Sequence, residues 1–252
     1  LIEARLSHIS RRESFATLDD LVHCLKARPN QRFEQEIAAA MTSKQTNFFR
    51  HRDKIEQIVT HALPLRLKQS TTGRLRILCA GVATGQEVWS LAMRLHEDVG
   101  SPLTGAEIEI TGTDVSTDCV EHAKRGVYGH YDVQKGLSIH RLMTNFQRAN
   151  SGDWTISDKL RESVHFRRHN LLDPAQDLGL YDIIVCTNVL RDMAKPSQAE
   201  VLKNLSRQLL PDAFLFVGPD EQVEGVTDLL KPSRDTRGAF VRATAKDATA
   251  AA

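Results

Sequence analysis

The 252-residue chain carries 33 lysines and arginines against 32 aspartates and glutamates, a formal net charge of +1, with 41% apolar and 26% charged residues. That length suits one substantial α/β domain with a smaller companion. The near-neutral balance argues against a global electrostatic grip on nucleic acid, and no window approaches the roughly 20 consecutive apolar residues that span a bilayer.

Cys24, Cys79, Cys119 and Cys186 stand far apart in the sequence and read as reduced thiols, not as a disulfide framework or a metal site. A cytoplasmic protein without a structural metal is the expectation. It accords with the absence of an apolar signal segment at Leu1, and the small-residue run from 245 to 252 reads as a frayed tail without function.

In chain order, apolar residues recur at helical intervals in Leu18, Leu21, Val22 and Leu25, then Phe33, Ile37 and Met41, then Ile55, Ile58 and Val59. These predict a small N-terminal helical domain. Thr17 before Asp19 and Asp20 is a helix N-cap with an acidic first turn, and Pro29 punctuates the chain. The stretch 64–73 is polar and turn-rich and is read as a linker, so domains are expected at 1–70 and 71–252.

Beyond it, strand patterns at 74–80, 107–113, 181–186 and 213–218 alternate with helix patterns at 88–97, 116–125 and 198–209. Such alternation predicts an α/β fold with a mostly parallel sheet covered on both faces and its ligand at the carboxyl ends of the strands. A helical piece at 137–146, a turn at 151–153 and alternating runs at 154–156 and 164–166 interrupt it, predicting a small antiparallel insert over about 130–165.

Gly81 and Gly85 bracket a turn directly after the first strand of this region, where the backbone can approach a ligand. Glu87 falls in the first turn of the following helix, where a carboxylate suits the ammonium of a methionine better than a pyrophosphate. The third glycine of the dinucleotide pattern is missing, which weighs against NAD. Asp114 ends the next strand, in place to take both hydroxyls of a ribose. Asn170, after a third strand, either reads an adenine edge or forms a turn.

The segments Thr46-Asn47-Phe48-Phe49-Arg50, Gly85-Gln86-Glu87-Val88-Trp89-Ser90-Leu91-Ala92-Met93, Thr113-Asp114-Val115-Ser116, Phe166-Arg167-Arg168-His169-Asn170-Leu171-Leu172 and Cys186-Thr187-Asn188-Val189-Leu190 resemble, in order, the signatures of CheR-type chemotaxis receptor methyltransferases. The resemblance implies a Rossmann-like sheet dependent on S-adenosylmethionine, with S-adenosylhomocysteine as product, a small N-terminal helical domain and an inserted antiparallel β-subdomain. It implies methyl transfer to glutamates of chemoreceptor cytoplasmic domains, with no nucleic-acid partner and no membrane insertion; a monomer is the working expectation. Thr46, Arg50, Glu87, Asp114, Asn170, Leu171, Asn188 and Val189 are then cofactor-binding, with Arg50 near the reacting methyl. Standing alone, Arg50 would read as a solvated surface charge.

Where the family pattern continues from Arg-Asn-Val to a tyrosine close to the transferred methyl, this chain has Thr187-Asn188-Val189 and then Arg191-Asp192, so Asp192 takes the tyrosine position. Lys44 stands where the family often has Asn, and Gly218-Pro219-Asp220-Glu221 replaces Gly-His-Ser-Glu. A carboxylate at 192 would repel an incoming glutamate by about 1 kcal/mol or more. Arg191 either pairs with it, recruits the acceptor itself, or forms a solvated loop pair with it. The alternative reading is thus a catalytically impaired regulatory or scaffold protein that still binds the cofactor. The short insert loop 148–153 disfavours tight capture of a receptor tail. Arg5, Arg11, Arg12, Lys26, Arg28 and Arg32 mark either a face for acidic receptor helices or an ordinary solvated one.

Overall fold

The computed structural model describes residues 2–27, 30–97, 102–175 and 177–243. The readings made for Leu1, Arg28, Pro29 and the run 245–252 lie outside the described residues.

Helices α1 (Ile2–Arg12), α2 (Leu18–Ala27) and α3 (Gln31–Met41) pack around a small cluster of Leu6, Ile9 and Leu21, edged by Phe15, Leu25, Phe33 and Ile37. Thr17 caps α2 reciprocally with Asp20: Thr17 Oγ1 accepts from the Asp20 amide at 3.1 Å, and the Asp20 carboxylate accepts from the Thr17 amide at 2.9 Å.

A continuous helical rod follows: α4 (Arg52–Gln57), a π-helical turn (Ile58–Ala62) and α5 (Leu63–Gln69). Residues 64–69 are therefore helix, which corrects the reading of 64–73 as a linker. The wide turn, in which the Leu63 amide donates to the Ile58 carbonyl, comes just before Pro64, and Pro64 lies in the first turn of α5, where its missing N–H costs least. Buried Leu63 and Arg66 then bind α5 to the sheet, with Arg66 paired to Asp182 at 3.0 Å.

The main sheet contains β1 (Arg74–Ala80), β2 (Glu107–Asp114), β6 (Val164–Arg168), β7 (Tyr181–Cys186), β8 (Leu209–Val217), β9 (Leu230–Pro232) and β10 (Ala239–Arg242), in the order β6-β2-β1-β7-β8-β10-β9. The five strands from β6 to β8 are mutually parallel; β10 runs antiparallel to β8, and β9 antiparallel to β10. Ile183 and Val185 face one core while Ile184 and Cys186 face another, so β7 is apolar on both faces from Ile183 onward, as a strand covered on both sides must be, and its one charge, Asp182, is the partner of Arg66. Helices α6 (Gln86–Glu97), α7 (Thr117–Arg125) and α11 (Lys195–Gln208) provide cover. The strand order reverses beside β1, opening a crevice at its carboxyl end.

The insert is a three-stranded antiparallel sheet of β3 (Val127–Tyr128), β4 (Phe146–Arg148) and β5 (Trp154–Ile156), in the order β3-β5-β4. It carries α8 (His130–Gln134) and α9 (Ile139–Asn145), and α10 (Asp158–Arg161) leads back to the main sheet. Residues 164–166 belong to β6 of the main sheet, not to the insert; their alternation reflects an edge strand with one exposed face. The loop between β4 and β5 closes tightly, with the Ala149 amide on the Asp153 carbonyl at 2.8 Å. Among the described residues no helix is long and apolar enough to cross a membrane.

Candidate functional site

The glycine turn leaves β1 with three residues at positive φ: Gly81 at 76°, Ala83 at 49° and Gly85 at 92°. A Cβ on Gly81 would sit 2.4 Å from a Val189 methyl, and one on Gly85 2.7 Å from the Ala123 Cβ, so side chains are excluded at both by geometry and by space. The amides of Gly81 and Val82 both donate to the Thr113 carbonyl, at 2.8 and 3.0 Å, pinning the turn to β2. Tyr128, from the insert, donates to the Thr84 carbonyl at 2.7 Å.

This turn floors a cavity of about 280 Å³. Thr46, Arg50, Glu87, Asp114, Asn170, Leu171, Asn188, Val189 and Asp192, singled out along a span of nearly 150 residues of sequence, all line it. Met41 and Ala38 of α3 contribute from the helical cluster above.

Asp114 ends β2 with its carboxylate held between two main-chain amides, Ala83 at 2.8 Å on one oxygen and Ser116 at 2.9 Å on the other. Burial pushes its carboxyl above the usual range, while those amides and the charge of Lys44 pull it back. Each oxygen keeps a lone pair for a further donor. Glu87 accepts from Thr187 Oγ1 at 2.5 Å. Burial raises its carboxyl too, opposed by the Thr187 hydrogen bond and the charges of Lys54 and Arg50, and reinforced by Glu221.

The opposite wall is the loop 187–192, ending in a 3-10 turn (Leu190–Asp192). Its conformation depends on Glu221, whose carboxylate accepts from four main-chain amides: Gly218 at 2.6 Å and Asn188 at 3.0 Å on one oxygen, Leu190 at 2.6 Å and Arg191 at 3.3 Å on the other. Asn188 is left-handed, with φ of 60°, and its side-chain Nδ2 donates to His51 Nε2 at 2.7 Å. That bond needs His51 unprotonated at Nε2, and burial, the leading cause, lowers the His51 pKa.

Asn170 forms a turn, its side-chain carbonyl accepting from the Leu172 amide at 3.2 Å, and the residue also faces the cavity. Arg50 is exposed and donates to the Gln45 carbonyl at 3.1 Å. Arg191 and Asp192 are both exposed, and among the described residues no ion pair joins them. In the N-terminal helices, Arg5 donates to the Met41 carbonyl, and Arg12 and Arg32 both reach Glu36, which blunts the expected basic face.

Sequence reasoning missed His51, Lys54 and His169, which reach the site from α4 and its approach and from the end of β6, and it gave Thr187 and Glu221 no role. Of these, Glu221 also holds the amide of Gly218, three residues before it.

The donor set suits S-adenosylmethionine: one carboxylate in the first turn of α6 for an ammonium, another at the tip of β2 for a vicinal diol, and apolar Val82, Leu171 and Val189 for a purine. A family model described as "CheR methyltransferase, SAM binding domain" matches residues 44–239. The chain is 30% identical over 232 residues to the chemotaxis protein methyltransferase Cher2 of Pseudomonas putida, covering 90% of this chain and 84% of that one. It is 30% identical over 245 residues to chemotaxis protein methyltransferase 1 of Pseudomonas aeruginosa, covering 96% and 89%. It is 34% identical to the probable biofilm formation methyltransferase WspC of the same organism, over 74% of this chain and 44% of that one. The chain belongs to the CheR methyltransferase family, and its cofactor is S-adenosylmethionine.

Proposed function

We propose that the protein transfers the methyl group of S-adenosylmethionine to glutamate side chains of chemoreceptor cytoplasmic domains, forming methyl esters. The observation that carries this reading is the placement of Arg50, Glu87 and Asp114 on one cavity at the carboxyl ends of β1 and β2. Glu87 takes the ammonium of the cofactor, Asp114 the ribose hydroxyls through its spare lone pairs, and Leu171 with Val189 the adenine faces; Thr46, Asn170 and Asn188 complete the lining. The bound cofactor supplies an electrophilic sulfonium methyl.

A glutamate carboxylate is already nucleophilic, so the protein needs no base and contributes mainly by holding it in line. Arg50 is the clamp, because a planar guanidinium pairs with a carboxylate through two hydrogen bonds. Asp192 opposes the acceptor: at 4 Å and a surface-like dielectric, one like charge costs about 4 kcal/mol. A cation at the same distance cancels it, and Arg50 and Arg191 both line the cavity. Burial lowers the pKa of His51 and of His169, which keeps further cations away from the sulfonium. Arg11, Arg12, Lys26 and Arg32 provide the side that meets acidic receptor helices.

The test is incubation with radiolabelled S-adenosylmethionine and receptor cytoplasmic fragments. Base-labile methyl label on glutamate is expected, and Arg50→Ala should abolish most of it; folded protein giving no label on several receptors would refute the activity. The exposed Asp192 carboxylate, without an ion pair among the described residues, favours one second reading, a protein that binds the cofactor without turnover. Gain of label in Asp192→Tyr from a silent native protein would support that reading.

A further inference from the structure

Lys54 is a half-buried cation for which neither the sequence pattern nor the proposed reaction accounts. It lies on α4, and its Nζ donates to the carbonyl of Val217 at the end of β8. That bond fixes where the ammonium sits without neutralising it, because the acceptor is a main-chain carbonyl. Between Lys54 and Glu87 lies a void of about 10 Å³, lined also by His51, Cys79, Leu91 and Val185. It holds one water at most, so little solvent screens the two charges from each other.

We propose that Lys54 is a positioning residue that keeps the Glu87 carboxylate charged and oriented for the amino-acid end of the cofactor. The inference rests on the placement of the cofactor ammonium at Glu87 proposed above. Removing a buried cation beside a buried carboxyl raises the pH at which that carboxyl ionises, and a neutral Glu87 cannot pair with an ammonium. The groups that face Glu87 from the surrounding elements are Lys54, Arg50 and His51 on α4 and its approach, Cys79 on β1, Thr187 after β7 and Glu221 after β8. Burial and Glu221 favour the neutral form; Thr187, Lys54 and Arg50 favour the charged one. Lys54 is the leading charge on that second side, so its loss moves Glu87 further toward the neutral form.

The experiment is calorimetric titration of the full chain with S-adenosylhomocysteine and with 5′-methylthioadenosine, which shares the nucleoside and lacks the amino-acid end, from about pH 6 to about pH 8.5. Relative to native protein, Lys54→Met should bind S-adenosylhomocysteine about tenfold more weakly at the acid end, with the gap closing at the alkaline end. Binding of 5′-methylthioadenosine should match native protein throughout, and Lys54→Arg should behave as native. In a Glu87→Gln background, Lys54→Met should add nothing. If Lys54→Met does not fold, Lys54→Gln, which retains a donor for the Val217 carbonyl, must show the same pH-dependent loss.

A loss that is independent of pH, or equal for both ligands, overturns the proposal and leaves Lys54 as a tie between α4 and β8. Should Glu87→Gln alone bind S-adenosylhomocysteine as well as native protein does, the ammonium is placed wrongly, a separate failure read from a separate variant.

Discussion

Glu221→Gln perturbs one residue that never needs to touch the ligand and yet shapes a whole wall of the cavity. Each carboxylate oxygen of Glu221 accepts two main-chain amides, so whichever way the glutamine amide turns, two N–H donors face an NH₂ group. Hydrogen bonds to a charged group contribute about 1.5–3 kcal/mol each, which puts the loss of two at about 3–6 kcal/mol. For a chain of this size that lowers Tm by roughly 6 °C or more. The loop that loosens carries Asn188 and Val189, and Val189 packs over Gly81, so affinity for S-adenosylhomocysteine should fall about tenfold, the equivalent of about 1.4 kcal/mol. Urea unfolding paired with calorimetry measures both. A stability loss under about 1 kcal/mol together with native affinity would show that the loop holds its shape without Glu221, and the reasoning would fail.

Glu87→Gln should trade affinity for stability. Burial raises the Glu87 carboxyl in the folded state, so folding favours its protonated form. The stability gained this way is complete below the ordinary glutamate pKa and is lost as pH rises through the folded value. At pH 7 the ligand-free variant should therefore unfold at higher urea than native protein, with the difference vanishing near about pH 4, while its affinity for S-adenosylhomocysteine drops. Arg66→Met should cost stability alone. Asp182, 7% exposed, would be left without the guanidinium that both Arg66 Nε and Nη2 direct at it, costing about 3–5 kcal/mol with ligand affinity unchanged, readable by the same two methods.

The parts of the site legible in the sequence are those whose chemistry is written locally. Gly81, Gly85 and Glu87 lie within seven consecutive residues between a strand and a helix, and Asp114 ends the next strand, so backbone geometry and chemistry share one short pattern. Lys54 and Glu221 have no such pattern. Lys54 sits beside Arg52 and Asp53 in what looks like a solvated turn of helix, and only the fold brings it to Val217, 163 residues away. Glu221 acts on amides about 30 residues earlier, and main-chain donors leave no trace in side-chain composition. Among the elements, 64–69 misled because the stretch 64–73 was read as a linker from its polar, turn-rich composition, whereas Leu63–Gln69 continues the helix after the π-helical turn. The strands β9 and β10 escaped notice because they are three and four residues long and the former ends in Pro232.

The account's central claim is that this one cavity is the S-adenosylmethionine site, and a crystal structure of the protein with S-adenosylhomocysteine tests it most directly. The predicted result has the ligand ammonium within hydrogen-bonding distance of Glu87, both ribose hydroxyls on Asp114, and the sulfur turned toward the side of the cavity that holds Arg50 and Asp192. A ribose that makes no contact with Asp114, or a ligand seated outside the cavity between the glycine turn and loop 187–192, would contradict it.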